Sequence, residues 1–419
     1  MLTRRVRWNI AAMMGMAFIL VFVLGEPFAV IASPIGRCPP WAFAVAGKGE
    51  GGISTLSRGL QSPIVRTVPV GKGPIAIVVD SKVGHVFVAN YLDGTVSILD
   101  ASTGALLHRT GRVAFRPSMI AMDQRTGRVF ITSQRHNGSV GVLDAVTGSL
   151  LRTVPVGVDI RQVVVDEHTG RVFVSGLGTG KISMLDADSG SLVRNLSVGD
   201  GGPGPIVVDE RDGKAFVTTG RSVETLDGRT GFVRNTTRAI PSPAYLAVTP
   251  WKGRIVVVGG VHSSDVYLLD TRTGTAGRPV RVGLDVTGLA VDKRTGHAFL
   301  TDAASFDVVD VRASILLRTL RIGAYPSISP VVDAQAGRVF AVSGPTTHAA
   351  QLAGKTRIGI SVLDAKTGAL RRTINVYPPP YPLEIGPPLI ALAVDEHARR
   401  VFFTNALNNT VTVVDTSRL

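Results

Sequence analysis

A single cysteine, Cys38, stands among 419 residues, so no intramolecular disulfide can form and the fold must rest on its apolar core. Aromatic residues make up only 6% of the chain, and no dense basic stripe interleaves with them, which argues against nucleic acid as a partner. Long helical patterns are missing as well. No helix-borne His pair, nucleophile elbow or phosphate-binding glycine loop occurs, and the chemistries that need them are set aside.

Long uncharged runs are also scarce. The one that occurs, Ile10 to Leu24, follows Arg4, Arg5 and Arg7 and precedes Glu26 and Pro27. It falls short of the roughly 20 residues that cross a bilayer, and a basic start with a short apolar stretch is the pattern of an export signal. Residues 1–33 are therefore expected to form a signal peptide, cut after Ala32, or an uncleaved signal anchor with its basic end in the cytoplasm. Residues 34–40 follow as a linker. Arg37 precedes Cys38 where a lipoprotein signal needs a small residue, which disfavours lipidation.

What the chain does contain is one segment written eight times. An apolar run ends in Asp, a turn leads to a second apolar run, and a third run ends in Leu-Asp or Val-Asp. The first Asp recurs at Asp80, Asp123, Asp166, Asp209, Asp292, Asp333 and Asp395, with Thr249 standing in once. Repeats of about 40–45 residues made only of strand signals predict an all-β chain folded as a single β-propeller of four-stranded blades over 41–419. Strands a to d of the first unit are expected at Ile75 to Asp80, His85 to Asn90, Thr95 to Asp100 and Ala105 to Thr110. Strand b is apolar on both faces, as in Val86-Phe87-Val88, and needs neighbours on both sides. Strand d carries Pro69 or Pro155 beside an Arg, which suits an outer edge, so strand a should line the axis.

Seven units begin near residues 75, 118, 161, 204, 244, 287 and 328. A C-terminal a-b-c set (Leu389 to Asp415) remains, with an N-terminal segment, Trp41 to Gly71, that reads as b-c-d. Pairing these two ends in one sheet would close an eight-bladed ring with two strands to spare; seven blades with peripheral strands is the alternative.

With Arg4, Arg5, Arg7 and Glu26 set aside, the chain still carries a charge of +12. Much of it belongs to the repeat. Arg66, Arg109, Arg152, Arg194, Arg234, Arg318 and Arg372 share one position, and Arg128, Arg171, Lys214, Arg254, Arg338 and Arg400 open strand b of successive units. The recurring aspartates invite a metal reading, but most open a turn closed by Gly within four residues. They read as turn acceptors instead.

The a-b and c-d turns share one face, regular and architectural. Irregularity collects on the b-c and d-a face, where a ligand is expected. Unit seven has an enlarged b-c loop, Ser343 to Arg357, and a Pro-rich d-a connection with Tyr377, Tyr381 and Glu384. His136, His262 and His348 fall in b-c loops, while Asp159, Arg161, Asp200, Asp285 and Tyr325 fall in d-a loops together with Lys72, Arg116 and Tyr245. Mixed charge with tyrosines round a concave mouth suits recognition of a peptide or carbohydrate. The three histidines belong to units two, five and seven, too widely spread for one metal site, so neither metal nor cofactor is expected.

The repeat "DxxTGRVFV…VSVLDxxTGxLxRTVPVG" resembles the YVTN-type propeller repeat of extracytoplasmic proteins over Trp41 to Leu419, with FVAN, FITS, FVSG and FFTN among the tetrapeptides in place of the family's own. The resemblance implies the fold and an extracytoplasmic location, and no reaction. The reading that results is an exported, non-catalytic propeller that binds a macromolecule or cell-envelope polymer through its irregular face and meets membrane only through an uncleaved N-terminus. The alternative is a metal-assisted lactonase or lyase with an axial site built from Asp159, Asp200, Asp285, His136, His262 and His348. A dehydrogenase subunit would need a quinone-bearing partner or cofactor motif, for which the sequence offers nothing.

Overall fold

Residues 62–133, 138–157, 160–176, 180–199, 202–259, 264–283, 286–302, 305–322, 329–344, 359–376 and 391–419 are described by a computed structural model. They form eight sheets, each of four antiparallel strands running a-b-c-d from the axis outward. Blades 1 to 7 span 74–109, 117–155, 160–197, 206–237, 243–281, 288–320 and 331–375. Blade 8 takes Leu392–Asp395, Arg400–Asn405 and Thr410–Asp415 from the C-terminal end and its outer strand, Ile64–Pro69, from the N-terminal side. Thr67 lies opposite Thr412 and Pro69 opposite Thr410 in that pairing, so the join is a closed ladder with no open edge. Of the segment expected to supply strands b, c and d here, only the d strand lies within the described residues.

Strands a stand side by side around the axis, and Leu392–Asp395 of blade 8 touches Pro74–Asp80 of blade 1 to complete the circle. The double-sided strand b finds cover because the eight apolar clusters lie between neighbouring blades. Phe130 of blade 2, for example, packs with Val172, Val174 and Leu185 of blade 3. Phe87, Phe173, Phe216, Phe299, Phe340 and Phe402 repeat the position, all fully buried. Strand d carries the exposure instead, as in Leu106–Arg109 and Leu150–Pro155.

Blade 5 departs from the pattern. Its outer strand is split into Thr275–Ala276 and Val280–Arg281, because Pro279 has no N–H for the ladder and the Gly277 amide turns to the Leu268 carbonyl at 2.8 Å. The helical content of the described residues is one 3-10 turn, Thr416–Arg418, capped by Asp415. Among those residues no helix is long and apolar enough to cross a membrane.

Candidate functional site

The hairpin face, where a-b and c-d turns emerge, shows why the aspartates recur. Asp123 Oδ1 accepts the amides of Arg125 (2.9 Å) and Thr126 (3.1 Å), and Asp144 Oδ1 those of Val146 (3.1 Å) and Thr147 (2.9 Å). Gly127 and Gly148 close these turns at positive φ, the conformation that a side chain disfavours. Thr249, the exception, serves through its hydroxyl, which accepts the Trp251 amide at 3.2 Å and donates to the Arg254 carbonyl at 2.7 Å.

Neighbouring blades are stapled across the same face by the residue that opens strand b. His85 Nδ1 lies 3.0 Å from the Ala145 carbonyl and His297 Nδ1 3.1 Å from that of Ala365, while Arg171 reaches Arg229 O and Arg400 reaches Ser102 O, each at 3.3 Å. Carboxylates continue the stapling near the axis: Glu167 accepts the Gln124 amide at 2.7 Å and Glu210 the Glu167 amide at 3.0 Å. Burial, with Asp123 and Glu210 nearby, pushes the Glu167 carboxyl up from its ordinary range. Asp227 shows the opposite outcome: although burial works against it, the Arg234 guanidinium and the amide and hydroxyl of Thr230 bring it down to about 2.

Buried acids inside the blades are also structural. Glu224 and Asp307, in strand c of blades 4 and 6, accept the amides of Gly199 (2.8 Å) and Gly283 (2.9 Å), the role that Ser97 plays for Gly71 in blade 1. Among the described residues no three His, Cys, Asp or Glu side chains gather in a way that could hold a metal ion.

Of the residues expected to form the ligand-binding face, His136, Asp159, Asp200, His262, Asp285, Tyr325, His348, Tyr377, Tyr381 and Glu384 lie outside the described residues, and of Arg161 only its backbone place in strand Ile160–Asp166 is described. The strand ends that carry the two long connections of blade 7 are described. Ser343 pairs with Gly359, and Gly359 with Asn375, so the b-c and d-a segments depart from the same end of one sheet.

Between blades 8, 1 and 2 the loop face itself is described, and its loops brace one another. Gly73 N–H donates to Asn409 Oδ1 (2.8 Å), Tyr91 N–H to Gly73 O (2.8 Å), Leu92 N–H to Lys72 O (3.1 Å) and Lys72 N–H to Asp93 Oδ2 (2.7 Å). On this base the Arg116 guanidinium lies 5.6 Å from the ring centroids of both Tyr91 and Phe115. Arg116 has a positive φ of 51°, a conformation that costs a side-chain-bearing residue about 1 kcal/mol or more. Leu92 is 63% exposed and Met119 42% exposed beside it. Sequence reading found Lys72 and Arg116 but passed over Tyr91, Leu92, Phe115 and Met119. For Tyr91 a signal exists, since no other b-c turn carries Phe, Trp or Tyr; for Phe115 and Met119 the sequence offers none.

Two cavities among the described residues open on the hairpin face. One of about 580 Å³ is lined by Pro250, Trp251, Arg294, Thr295, Asp310, Arg312 and Ala313. The other, about 440 Å³, includes Val208, Glu210, Arg211 and Lys293 and shares Pro250 with the first.

No protein-family model matches the chain, and no curated protein matches it. Solved structures do resemble it. BamB from Moraxella catarrhalis superposes with a TM-score of 0.59 at 15% identity, over 84% of this chain and 99% of its own. Kuenenia stuttgartiensis hydrazine synthase superposes with a TM-score of 0.53, also at 15% identity, over 88% of this chain and 100% of its own. At that identity the likeness carries the architecture alone: the chain is a β-propeller.

Proposed function

We propose that this chain is an exported, non-catalytic propeller of the YVTN-repeat kind that captures a protein or cell-envelope polymer on its loop face. Export rests on the basic and apolar pattern of residues 1–33, read as a signal peptide or anchor, with 34–40 as linker and the ring acting outside the cytoplasm. Propellers serve unrelated roles, and hydrazine synthase is by name an enzyme, so the ring does not choose the role.

The observation that carries the reading is the Arg116, Tyr91 and Phe115 cluster with exposed Leu92 and Met119 at its side. Cation and aromatic side chains held on braced loops are the group types that dominate macromolecular interfaces, because they offer large contact area with little rotamer freedom to lose. The two long connections of blade 7, which carry His348, Tyr377, Tyr381 and Glu384 in the sequence, leave its sheet from one end, and loops of that length are more often functional than short hairpins.

The test is capture from solubilised envelope material on the full chain, compared with Arg116→Gly, Tyr91→Ala and a variant shortened across 345–358. Capture that weakens in all three while the fold persists supports the reading. Unchanged capture overturns it. So would a stoichiometric divalent metal in the purified protein together with a turnover that a His136→Ala/His262→Ala double variant abolishes, the outcome required by the lactonase or lyase alternative.

A further inference from the structure

The hairpin face changes its residues where blades 5 and 6 meet, and the cavity of about 580 Å³ opens there. At blades 2 and 3 the second turn residue after Asp123 is Arg125, whose Nη1 lies 3.1 Å from Asp188 in the c-d turn of the next blade. The equivalent positions at blades 5 and 6 hold Trp251 and Arg312. An ion pair is thus replaced by a guanidinium set 5.9 Å from an indole ring centroid. The turn holding Trp251 begins with Thr249-Pro250 in place of the usual Asp, and Pro250 has no amide to offer a carboxylate staple. Arg211 takes over that link, donating to the carbonyls of Thr249 (2.6 Å) and Pro250 (2.5 Å).

Three side chains in the resulting notch have no ion-pair partner among the described residues. Arg294 and Arg312 pair with no carboxylate among the described residues; the Arg294 guanidinium lies over Gly337, where a Cβ would come within 2.8 Å of Nη2. Asp310 is the third. In blades 2, 3 and 8 the corresponding aspartate meets the Arg that opens strand b, at 2.8 Å for Arg128 and Asp144, 2.7 Å for Arg171 and Asp186, and 2.9 Å for Arg400 and Asp415. Blade 6 has His297 instead, already bound to Ala365 O, so Asp310 keeps only its turn bond to the Ala313 amide at 2.9 Å.

We propose that this notch is a second binding site, on the face opposite the loops, for an acidic peptide segment of a protein partner. A carboxylate of the segment lies between Arg294 and Arg312, an apolar side chain rests on Trp251, and a backbone N–H donates to Asp310. A guanidinium pair favours a carboxylate through charge-assisted hydrogen bonds, and Trp with Arg is the pairing most often found at interface hot spots. Phosphate or a small dicarboxylate would leave Trp251 unused and Asp310 without a donor. The volume, about 580 Å³, falls in the range of roughly 300–1,000 Å³ typical of ligand sites.

The experiment titrates the full chain into a fluorescein-labelled peptide alternating Glu with Leu, followed by anisotropy at about 0.15 M salt to screen diffuse attraction. Saturable binding that Arg294→Ser/Arg312→Ser weakens about tenfold or more is expected, the loss of one charge-assisted contact being enough for that factor. Trp251→Ala should weaken it similarly and Trp251→Phe should restore most of it, which separates the platform from a folding defect. A charge-matched control on the rim, Arg66→Ser/Arg318→Ser, should bind as the parent does. Equal weakening by both double variants, an absence of saturable binding, or full displacement by inorganic phosphate at equal concentration would each overturn the proposal. Arg116→Gly should leave this binding unchanged, so failure here and failure of the loop-face reading are told apart.

Discussion

Fifteen aspartates on the hairpin face repeat one device, a carboxylate accepting the amides of its own turn, and at several junctions the residue opening strand b reaches the next blade, as Arg171 and Arg400 do. The described loops between blades 8, 1 and 2 on the other face share no such rule. They brace one another irregularly and hold Arg116 in a left-handed conformation against two rings. One face turns most of its aspartates inward to the amides of its own turns. The other leaves aromatic and cationic surface in reach of solvent, where it adds little to stability and is free to bind. The junction of blades 5 and 6 differs from this pattern, since Arg294 and Arg312 pair with no carboxylate among the described residues and Trp251 stands where Arg125 stands in blade 2.

Several substitutions would sharpen or break this contrast. The scale is set by the core beneath both faces: Phe130→Ala should lower the unfolding free energy by about 3–5 kcal/mol, measured by chemical denaturation, because it empties a packed interface between blades 2 and 3. On the hairpin face, Asp123→Ala removes the acceptor of the half-buried amides of Arg125 and Thr126 and should cost about 1–2 kcal/mol. A loss below half a kcal/mol would show that the turns do not support the ring.

The third check is pH. Asp100, Asp144, Asp186, Asp270 and Asp415 are lowered from their ordinary value and Asp227 to about 2, against roughly 3.9 in an unfolded chain. Hydrogen bonds from the turn donors hold Asp100 and Asp144 down against burial; at Asp186, Asp227, Asp270 and Asp415 burial is the largest single influence, yet amides, hydroxyls and guanidinia together outweigh it. Below pH 4 the unfolded chain binds more protons than the folded ring, so stability present above that pH should fall as pH drops toward 2. Glu167, raised chiefly by burial, runs the other way and offsets a part as pH rises. Thermal melts across pH 2–5 read the balance, and a midpoint that rises on acidification would contradict it.

The smallest expected effect on stability belongs to the loop face. Arg116→Gly relieves the positive φ at a surface position, so its melting point should stay within a degree or two of the parent or rise slightly, while capture on that face drops. A marked loss of stability would make the cluster a structural element and erase the contrast.

Much of the architecture could be read along the chain because its causes are local. Period-2 and doubly apolar runs mark strands, and Asp with Gly four residues on marks a turn, as at Asp123 and Gly127, because both partners of each bond lie within one short segment. The ring count needed Ile64–Pro69 to find Thr410–Asp415, which the repeat arithmetic anticipated. The sites were harder. Tyr91 meets Arg116 across two blades, and Trp251 of blade 5 meets Arg312 of blade 6; no spacing rule connects such pairs.

By itself, then, the order of residues determined the repeat, the strand pattern and the turn chemistry, since each depends on neighbours a few positions apart. Which cations stay paired and which are freed was decided only when the blades stacked, because a partner in the next blade is set by the angle between sheets and not by distance along the chain.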